Sequence, residues 1–280
     1  MEFEQPATWS EALEIKAAHP EAMPIAGGTD VMVEMNLDHH RPAGIIDLTR
    51  IRELTEWGVD GGTLRIGAGV TYTRLIDGLG DRLPGLAIAS RTVGGNLGTS
   101  SPAGDAHPPL LASDAIVELE SRSGKRRVPV REFFSGPKRN AMQKDELIAA
   151  FHVEPARGPQ QFSKVGTRNA MVIAVCSFAL ALDPERRRAG TGIGSAGPTP
   201  LRAVEAEEFI QGELDWEGRR RPSDAAMQRF GELVAAAAKP IDDVRGTAAY
   251  RRHALAVMAR RCLAWTWNEG ASLPPSGRGA

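Results

Sequence analysis

Met23-Pro24-Ile25-Ala26-Gly27-Gly28-Thr29-Asp30, continuing as Val31 to Leu37, is the stretch on which the reading of the chain turns. Met23 to Ala26 is a short apolar run with strand character. Two glycines then bend the chain, and Val31 to Leu37 predicts a second helix. Glycines between a strand and a helix let backbone N–H groups converge on one point and approach an anion closely, and Thr29 adds a hydroxyl. Taken alone, the pattern serves equally as a plain turn.

Upstream, Thr8-Trp9-Ser10-Glu11 has the form of a capping box and predicts a helix through Ala18, stopped by His19-Pro20. Downstream, Ile45 to Leu48 and Thr63 to Ala68 read as strands, the second entered through a Gly61-Gly62 turn. Ala115 to Arg122 and Lys125 to Val130 read as a hairpin closed by Ser123-Gly124, and Leu147 to Val153 as a further strand. The Pro/Gly/Gln segment from Pro155 to Gln161 marks a boundary. Beyond it, Ala170–Leu182 and Thr191–Ser195 read as strands joined at Asp183-Pro184. Two helices then close the chain, one capped by Ser223 and running to Ala238, the other capped by Thr247 and running to about Asn268. Ser272 to Ala280 reads as a frayed tail.

A second glycine-rich stretch strengthens the first. Residues 91 to 109 are too irregular for helix and too dense in turns for strand, so they predict a long loop of the kind that carries function. Within it, Thr92-Val93-Gly94-Gly95-Asn96-Leu97-Gly98-Thr99-Ser100-Ser101-Pro102 pairs glycines with short hydroxyl and amide side chains. Two such loops suit a long, polyhydroxylated, pyrophosphate-bearing ligand, and a flavin dinucleotide fits that description. Asp105 can accept from a ribityl or ring N–H, or simply cap the loop. Lys164 and Arg168 read as surface charge or as contacts to a phosphate or a reduced flavin.

Other signals resolve to structure. Gly192-Ile193-Gly194-Ser195-Ala196-Gly197 has the G-x-G-x-x-G letters, but Pro198-Thr199-Pro200 follow where a helix should open, so a strand ending in a proline turn is expected. His39-His40 reads as a solvated turn. Arg186 to Arg188 and Arg219 to Arg221 read as exposed loop charges, with docking to an acidic partner as the weaker alternative. Cys262 is expected on one buried helix face with Tyr250, Ala254, Met258 and Trp265, and Cys176 within its apolar run is expected to be equally inert. No Ser/His/Asp or paired-carboxylate arrangement suggests hydrolysis.

Composition narrows the classes. The 280 residues are 42% hydrophobic and 25% charged, enough apolar material for real cores. Lys plus Arg number 34 against 35 for Asp plus Glu, so neither a nucleic-acid footprint nor a polybasic membrane anchor is supported. Two cysteines cannot form a disulfide framework, a four-thiolate zinc site or a self-contained iron–sulfur cluster. The N-terminus is acidic where a signal peptide is basic, and Ala170 to Leu182 falls short of the roughly 20 apolar residues of a membrane span, so a cytoplasmic protein is expected.

The series Ala26-Gly27-Gly28-Thr29-Asp30, Gly94-Gly95-Asn96-Leu97, Ser101-Pro102 and Asp105 closely resembles the FAD-binding (medium) subunit of the molybdenum hydroxylases, the xanthine dehydrogenase and carbon monoxide dehydrogenase family. Phe162, Lys164, Arg168, Gly197-Pro198-Thr199-Pro200-Leu201-Arg202 and Asp243-Val244-Arg245-Gly246 through Tyr250-Arg251-Arg252 resemble that family's flavoprotein C-terminal domain. The resemblance spans about residues 3 to 267. It implies an α+β protein: a two-lobed FAD-binding domain of the vanillyl-alcohol-oxidase (PCMH) type at 1–157, with lobes at about 1–52 and 53–157, then a small α+β C-terminal domain at 160–268 and a tail at 269–280.

For the site, the resemblance implies that Pro24, Ile25, Ala26, Gly27, Gly28, Thr29, Asp30 and Val31 wrap the FAD pyrophosphate. Thr92, Val93, Gly94, Gly95 and Asn96 would lie by the ribityl chain and ring, and Asp105, Ile148 and Lys164 would complete the site. Electrons would leave a substrate at a molybdenum cofactor on a large partner subunit, cross iron–sulfur clusters on a small one, and pass through FAD to NAD or another acceptor. A flavin carries its own redox chemistry, which agrees with the absence of a catalytic constellation. Relatives that reduce aromatic acyl-thioesters carry a cysteine-rich insertion that two cysteines exclude here. One departure stands out: the family's segment of roughly ten residues before Gly-Gly-Asn, commonly with a Gln-Ile-Arg-Asn core, is missing, so Ala89 to Val93 runs directly into Gly94, a link no shorter than the usual connection of about 4–6 residues. The competing readings are a flavin-free scaffold in the same complex and a free-standing flavin oxidase.

Overall fold

The computed structural model describes residues 2–28, 31–36, 38, 41–92, 98–168 and 172–272. In chain order they form β1 (Glu2–Glu4), α1 (Trp9–Ala18), β2 (Met23–Ile25), α2 (Val31–Asn36), β3 (Gly44–Asp47), β4 (Trp57–Asp60), β5 (Thr63–Gly67), α3 (Tyr72–Leu79), α4 (Pro84–Thr92), α5 (His107–Ala112), β6 (Ile116–Ser121) and β7 (Gly124–Pro129). There follow α6 (Val130–Phe133), β8 (Phe134–Gly136), β9 (Arg139–Asn140), β10 (Leu147–Val153), β11 (Gln160–Val165), β12 (Cys176–Asp183), β13 (Arg188–Gly194), α7 (Val204–Glu213), α8 (Asp224–Ala237) and α9 (Ala248–Ser272). Two compact units alternate along the chain. One comprises Met1–Thr71, Ala115–Phe133 and Asn140–Glu154; the other comprises Tyr72–Asp114, Phe134–Arg139 and Pro155–Ala280.

In the first unit, α1 starts where the sequence predicts. The Thr8 side chain accepts from the Glu11 backbone N–H while the Glu11 carboxylate accepts from the Thr8 N–H, a complete capping box. Its Ala12 and Leu13 pack with Ile51, Leu54 and Leu147. A parallel sheet, β1-β3-β2, leaves β2 at an edge, and a five-stranded antiparallel sheet runs β4-β5-β10-β6-β7. Along β5, Leu64 and Ile66 are buried with the half-exposed Arg65 between them, the period-two signature of a sheet with one apolar face. The β6–β7 hairpin pairs Ser121 with Gly124, so its loop is Arg122-Ser123, one residue earlier than the sequence reading. That register sets Val117 opposite Val128 and Glu120 opposite Lys125, joining the apolar pair and the opposite charges, whereas a one-residue slip would separate them.

In the second unit, β11-β12-β13 form an antiparallel sheet that packs with α5, α7 and α9. Cys176, Phe178, Phe230, Leu255 and Cys262 belong to its core. The G-x-G-x-x-G letters lie at the end of β13 and the turn beyond it, where Ile193 exchanges both backbone hydrogen bonds with Leu201, at 2.8 and 3.0 Å. The glycines are there for packing: a Cβ at Gly190 or Gly192 would overlap the Ala112 or Pro108 carbonyl of α5.

Several expectations are corrected. The stretch read as a loop over 91–109 is trimmed at both ends, by α4 running to Thr92 and by α5 beginning at His107, with Pro108 and Pro109 in the first turn of α5, where a missing N–H costs nothing. Gln160 and Gln161, read as linker, open β11, and α7 went unread because its N-cap, Ala203, supplies no side-chain bond. The strand expected from Ala170 begins at Cys176. The arginine triplets are exposed as expected, except for half-buried Arg219, and carry surface ion pairs: Arg186 with Asp183, Arg187 with Glu217, Arg188 with Asp114, Arg220 with Asp215 and Arg221 with Asp224. α9 continues to Ser272, and its buried face centres on Leu255, Ala259, Cys262 and Thr266, which leaves Tyr250 and Trp265 at the margin and about half exposed. Among the described residues no helix is long and apolar enough to cross a membrane, and no cluster of His, Cys, Asp and Glu could hold a metal.

Candidate functional site

The first unit holds a turn of bare backbone. Edge strand β2 ends at Ile25, whose carbonyl accepts from the Leu48 N–H at 2.9 Å, and delivers Ala26, Gly27 and Gly28 beyond the sheet. Gly28 has φ +69, a left-handed conformation that favours glycine, and its carbonyl accepts from the Met32 N–H at 2.9 Å as the chain enters α2. A Cβ at the exposed Gly27 would meet no atom within 4 Å. Pro24, Ile25 and Val31 are half-buried on either side. Ile148, also half-buried, lies on β10 opposite Leu119, beside a bulge. Thr29 and Asp30 lie outside the described residues, as do His39 and His40.

The second unit holds a buried ion pair. Asp105, just ahead of α5, is 1% exposed, and Lys164 on β11 reaches it with Nζ 2.7 Å from Oδ2. The same ammonium donates to the Val172 carbonyl at 3.3 Å. The loop before Asp105 is tied down by its own backbone: the Pro102 carbonyl accepts from the Ser195 N–H at 2.8 Å, and the Ser100 carbonyl from the Lys138 N–H at 3.2 Å. Thr92 closes α4; Val93, Gly94, Gly95 and Asn96 lie outside the described residues. Sequence reasoning singled out Asp105 and Lys164 separately. Their pairing carries no local signal, since 59 residues separate them.

Sequence reasoning missed a third polar cluster altogether. In the first unit, buried Glu118 takes a bidentate hydrogen bond from Arg65, at 2.7 Å to Nη2, and lies 2.6 Å from His152 Nε2. Burial opposes ionisation of Glu118, yet the bonds from Arg65 and His152 outweigh it and draw the carboxyl down to about 2. The available signal was charge alternating with apolar residues along β5 and β6. The two cysteines are the opposite case: burial pushes the Cys176 thiol up to about 12 and the Cys262 thiol to about 11, which leaves them unreactive.

An α+β flavoprotein is the class that this architecture defines, and the comparisons agree. The family described as the FAD binding domain in molybdopterin dehydrogenase matches residues 1–155, and the CO dehydrogenase flavoprotein C-terminal domain matches residues 161–266. The chain is 30% identical to the xanthine dehydrogenase FAD-binding subunit of Escherichia coli O157:H7, over 93% of this chain and 94% of that one. It is 32% identical to the nicotinate dehydrogenase FAD-subunit of Eubacterium barkeri, over 75% and 79%. In fold it matches quinoline 2-oxidoreductase from Pseudomonas putida 86, with a TM-score of 0.87 and 20% identity over 96% and 98% of the two chains. Carbon monoxide dehydrogenase from Hydrogenophaga pseudoflava gives 0.84 and 24% over the same shares. The chain belongs to the family of FAD-binding subunits of the molybdenum hydroxylases, which are oxidoreductases.

Proposed function

We propose that this chain holds FAD and passes electrons through it, from iron–sulfur clusters on a small partner subunit to NAD or another acceptor. The substrate would be oxidised at a molybdenum cofactor on a large partner. Bound FAD supplies the redox chemistry; the protein supplies binding, orientation and electrostatics. The observation that carries this reading is the Gly27–Gly28 turn, where exposed backbone without side chains follows an edge strand, as close approach to a pyrophosphate requires. In this reading Pro24 to Val31 wrap the pyrophosphate, Thr92 to Asn96 lie along the ribityl chain and ring, and Asp105, Ile148 and Lys164 complete the site. Lys164, steadied by Asp105, brings positive charge to the flavin. The division into a flavin domain at 1–157 and a C-terminal domain at 160–268 belongs to the same reading.

Both cysteines are free and buried, so clusters belong on a partner and not on this chain. Free thiols also fit a reducing, cytoplasmic setting. A second reading, a flavin-free scaffold, is favoured by the direct run from Ala89 into Gly94, which lacks the family's intervening segment.

A visible absorption spectrum of the purified chain, with and without added FAD, separates the two, followed by NADH without oxygen. A flavin band bleached by NADH supports electron transfer with a nicotinamide partner, and a persistent band points to another acceptor. A folded, colourless protein that refuses FAD establishes the scaffold.

A further inference from the structure

Asp105 follows a loop whose course is set by the end of β13. Ahead of Asp105, the Pro102 carbonyl accepts from the Ser195 N–H at 2.8 Å, and the Gly104 N–H turns back onto the Ser101 carbonyl at 3.1 Å. Beyond Asp105, Pro108 lies so close to the same strand that a Cβ at Gly192 would overlap its carbonyl and one at Gly194 would come within 3.0 Å of its ring. The aspartate is held between two points that both lean on residues 192–195, so a shift of those residues moves it. Ser195 itself has φ +56, a left-handed backbone that a residue with a Cβ adopts only where its surroundings hold it.

What holds Ser195 is Arg251. This arginine of α9 is 3% exposed and donates from Nη1 to the Ser195 carbonyl at 2.7 Å. Its Nη2 donates to the Asp243 carboxylate, which also accepts from the Arg245 N–H and from Arg245 Nη2, both at 2.8 Å. The neighbouring Ala196 carbonyl accepts from the Lys239 N–H at 2.8 Å. Ser195 takes Arg251 on its carbonyl and gives its N–H to the loop before Asp105. A helix needs no buried arginine to pack on a sheet, because an apolar side chain of similar volume does so without desolvating an ion pair. A planar, two-pronged donor adds direction: Asp243 fixes one prong, and the other then fixes the carbonyl it meets.

We infer that Arg251 is a positioning residue for the flavin site: braced by Asp243, it fixes the Ser195 backbone and, through it, the loop that places Asp105 against Lys164. This rests on the reading of Asp105 and Lys164 as flavin-site residues.

The test titrates FAD into the purified full-length chain, follows flavin fluorescence, and measures Tm on the same samples. Arg251→Met keeps the volume and removes both bonds, while Arg251→Lys keeps the charge. Val234→Ala opens a cavity in the same core and touches none of these bonds. At matched loss of Tm, Arg251→Met should bind FAD about tenfold more weakly than wild type, Arg251→Lys should recover part of that affinity, and Val234→Ala should bind as wild type does.

Wild-type affinity in a folded Arg251→Met variant overturns the positioning role. So does an equal fall in affinity in Val234→Ala, which would make the arginine a contributor to stability alone. If Arg251→Met does not fold, Arg251→Lys carries the test, because one ammonium cannot reproduce a two-pronged donor, and a folded Lys variant with wild-type affinity overturns the inference. A wild-type chain that takes up no FAD removes the flavin reading and this inference with it, whereas a wild type that binds FAD beside an indifferent Arg251 variant removes this inference only.

Discussion

Two glycine-rich stretches, Gly27-Gly28 and Gly190 to Gly194, use the same residue for opposite reasons. In β13 the glycines face inward, where α5 lies so close that a Cβ at Gly192 would overlap the Pro108 carbonyl. At Gly27 a Cβ would meet nothing. The letters G-x-G-x-x-G, which carry the stronger reputation for ligand binding, here serve packing, while the plainer Gly-Gly turn leaves its backbone open. Spacing alone does not separate the two cases; what a side chain would collide with does.

Gly192→Ala is the most severe way to test this contrast. Backbone crowds the site, so α5 must shift, and the expected loss is about 3 kcal/mol, read by denaturant unfolding. A Gly192→Ala variant as stable as wild type would break the packing half of the comparison. Next is Lys164→Met, which strips the ammonium from buried Asp105 and should cost about 2 kcal/mol, with flavin affinity falling as well. Asp105→Asn combined with Lys164→Met should recover part of the stability, because no charge is then left buried.

The polar cluster on the antiparallel sheet predicts a pH dependence. With the Glu118 carboxyl at about 2 in the folded chain against an ordinary 4.5, its contribution to stability is complete above about pH 4.5 and is lost as pH falls toward 2. Glu118→Gln should flatten that part of the Tm-against-pH curve. An unchanged acid limb would mean that the Arg65 and His152 bonds do not hold the carboxylate ionised.

What was legible in the sequence was local. The capping box at Thr8 and Glu11, the strand Leu147 to Val153 and the Ser223 cap of α8 each carry their signal within a few residues, and each stands where it was read. Elements whose signal is tertiary were missed or misplaced. β11 begins inside a Pro/Gly/Gln segment and is held as a strand by pairing with β12. α5 is hidden by its own prolines, and α7 lacks a capping side chain. At the site the split is the same: the Gly27–Gly28 turn was readable from a strand and two glycines, whereas the Asp105–Lys164 pair exists only once β11 is folded against the loop before α5.

The gentlest substitution bears most directly on function. Gly27→Ala adds a methyl where no atom lies within 4 Å, so Tm should stay within the scatter of ordinary surface changes, about 0.5 kcal/mol. Gly28→Ala should cost about 1 kcal/mol, because its φ of +69 is strained for any residue with a Cβ. If the turn cradles a pyrophosphate, the methyl of Gly27→Ala occupies the space the ligand needs, and flavin retention should fall while stability does not. Affinity and stability then separate at Gly27, whereas at Gly192 stability is lost outright. Undiminished flavin binding in a folded Gly27→Ala variant would mean that the open side of the turn faces only water, and the contrast between the two stretches would reduce to packing against solvent.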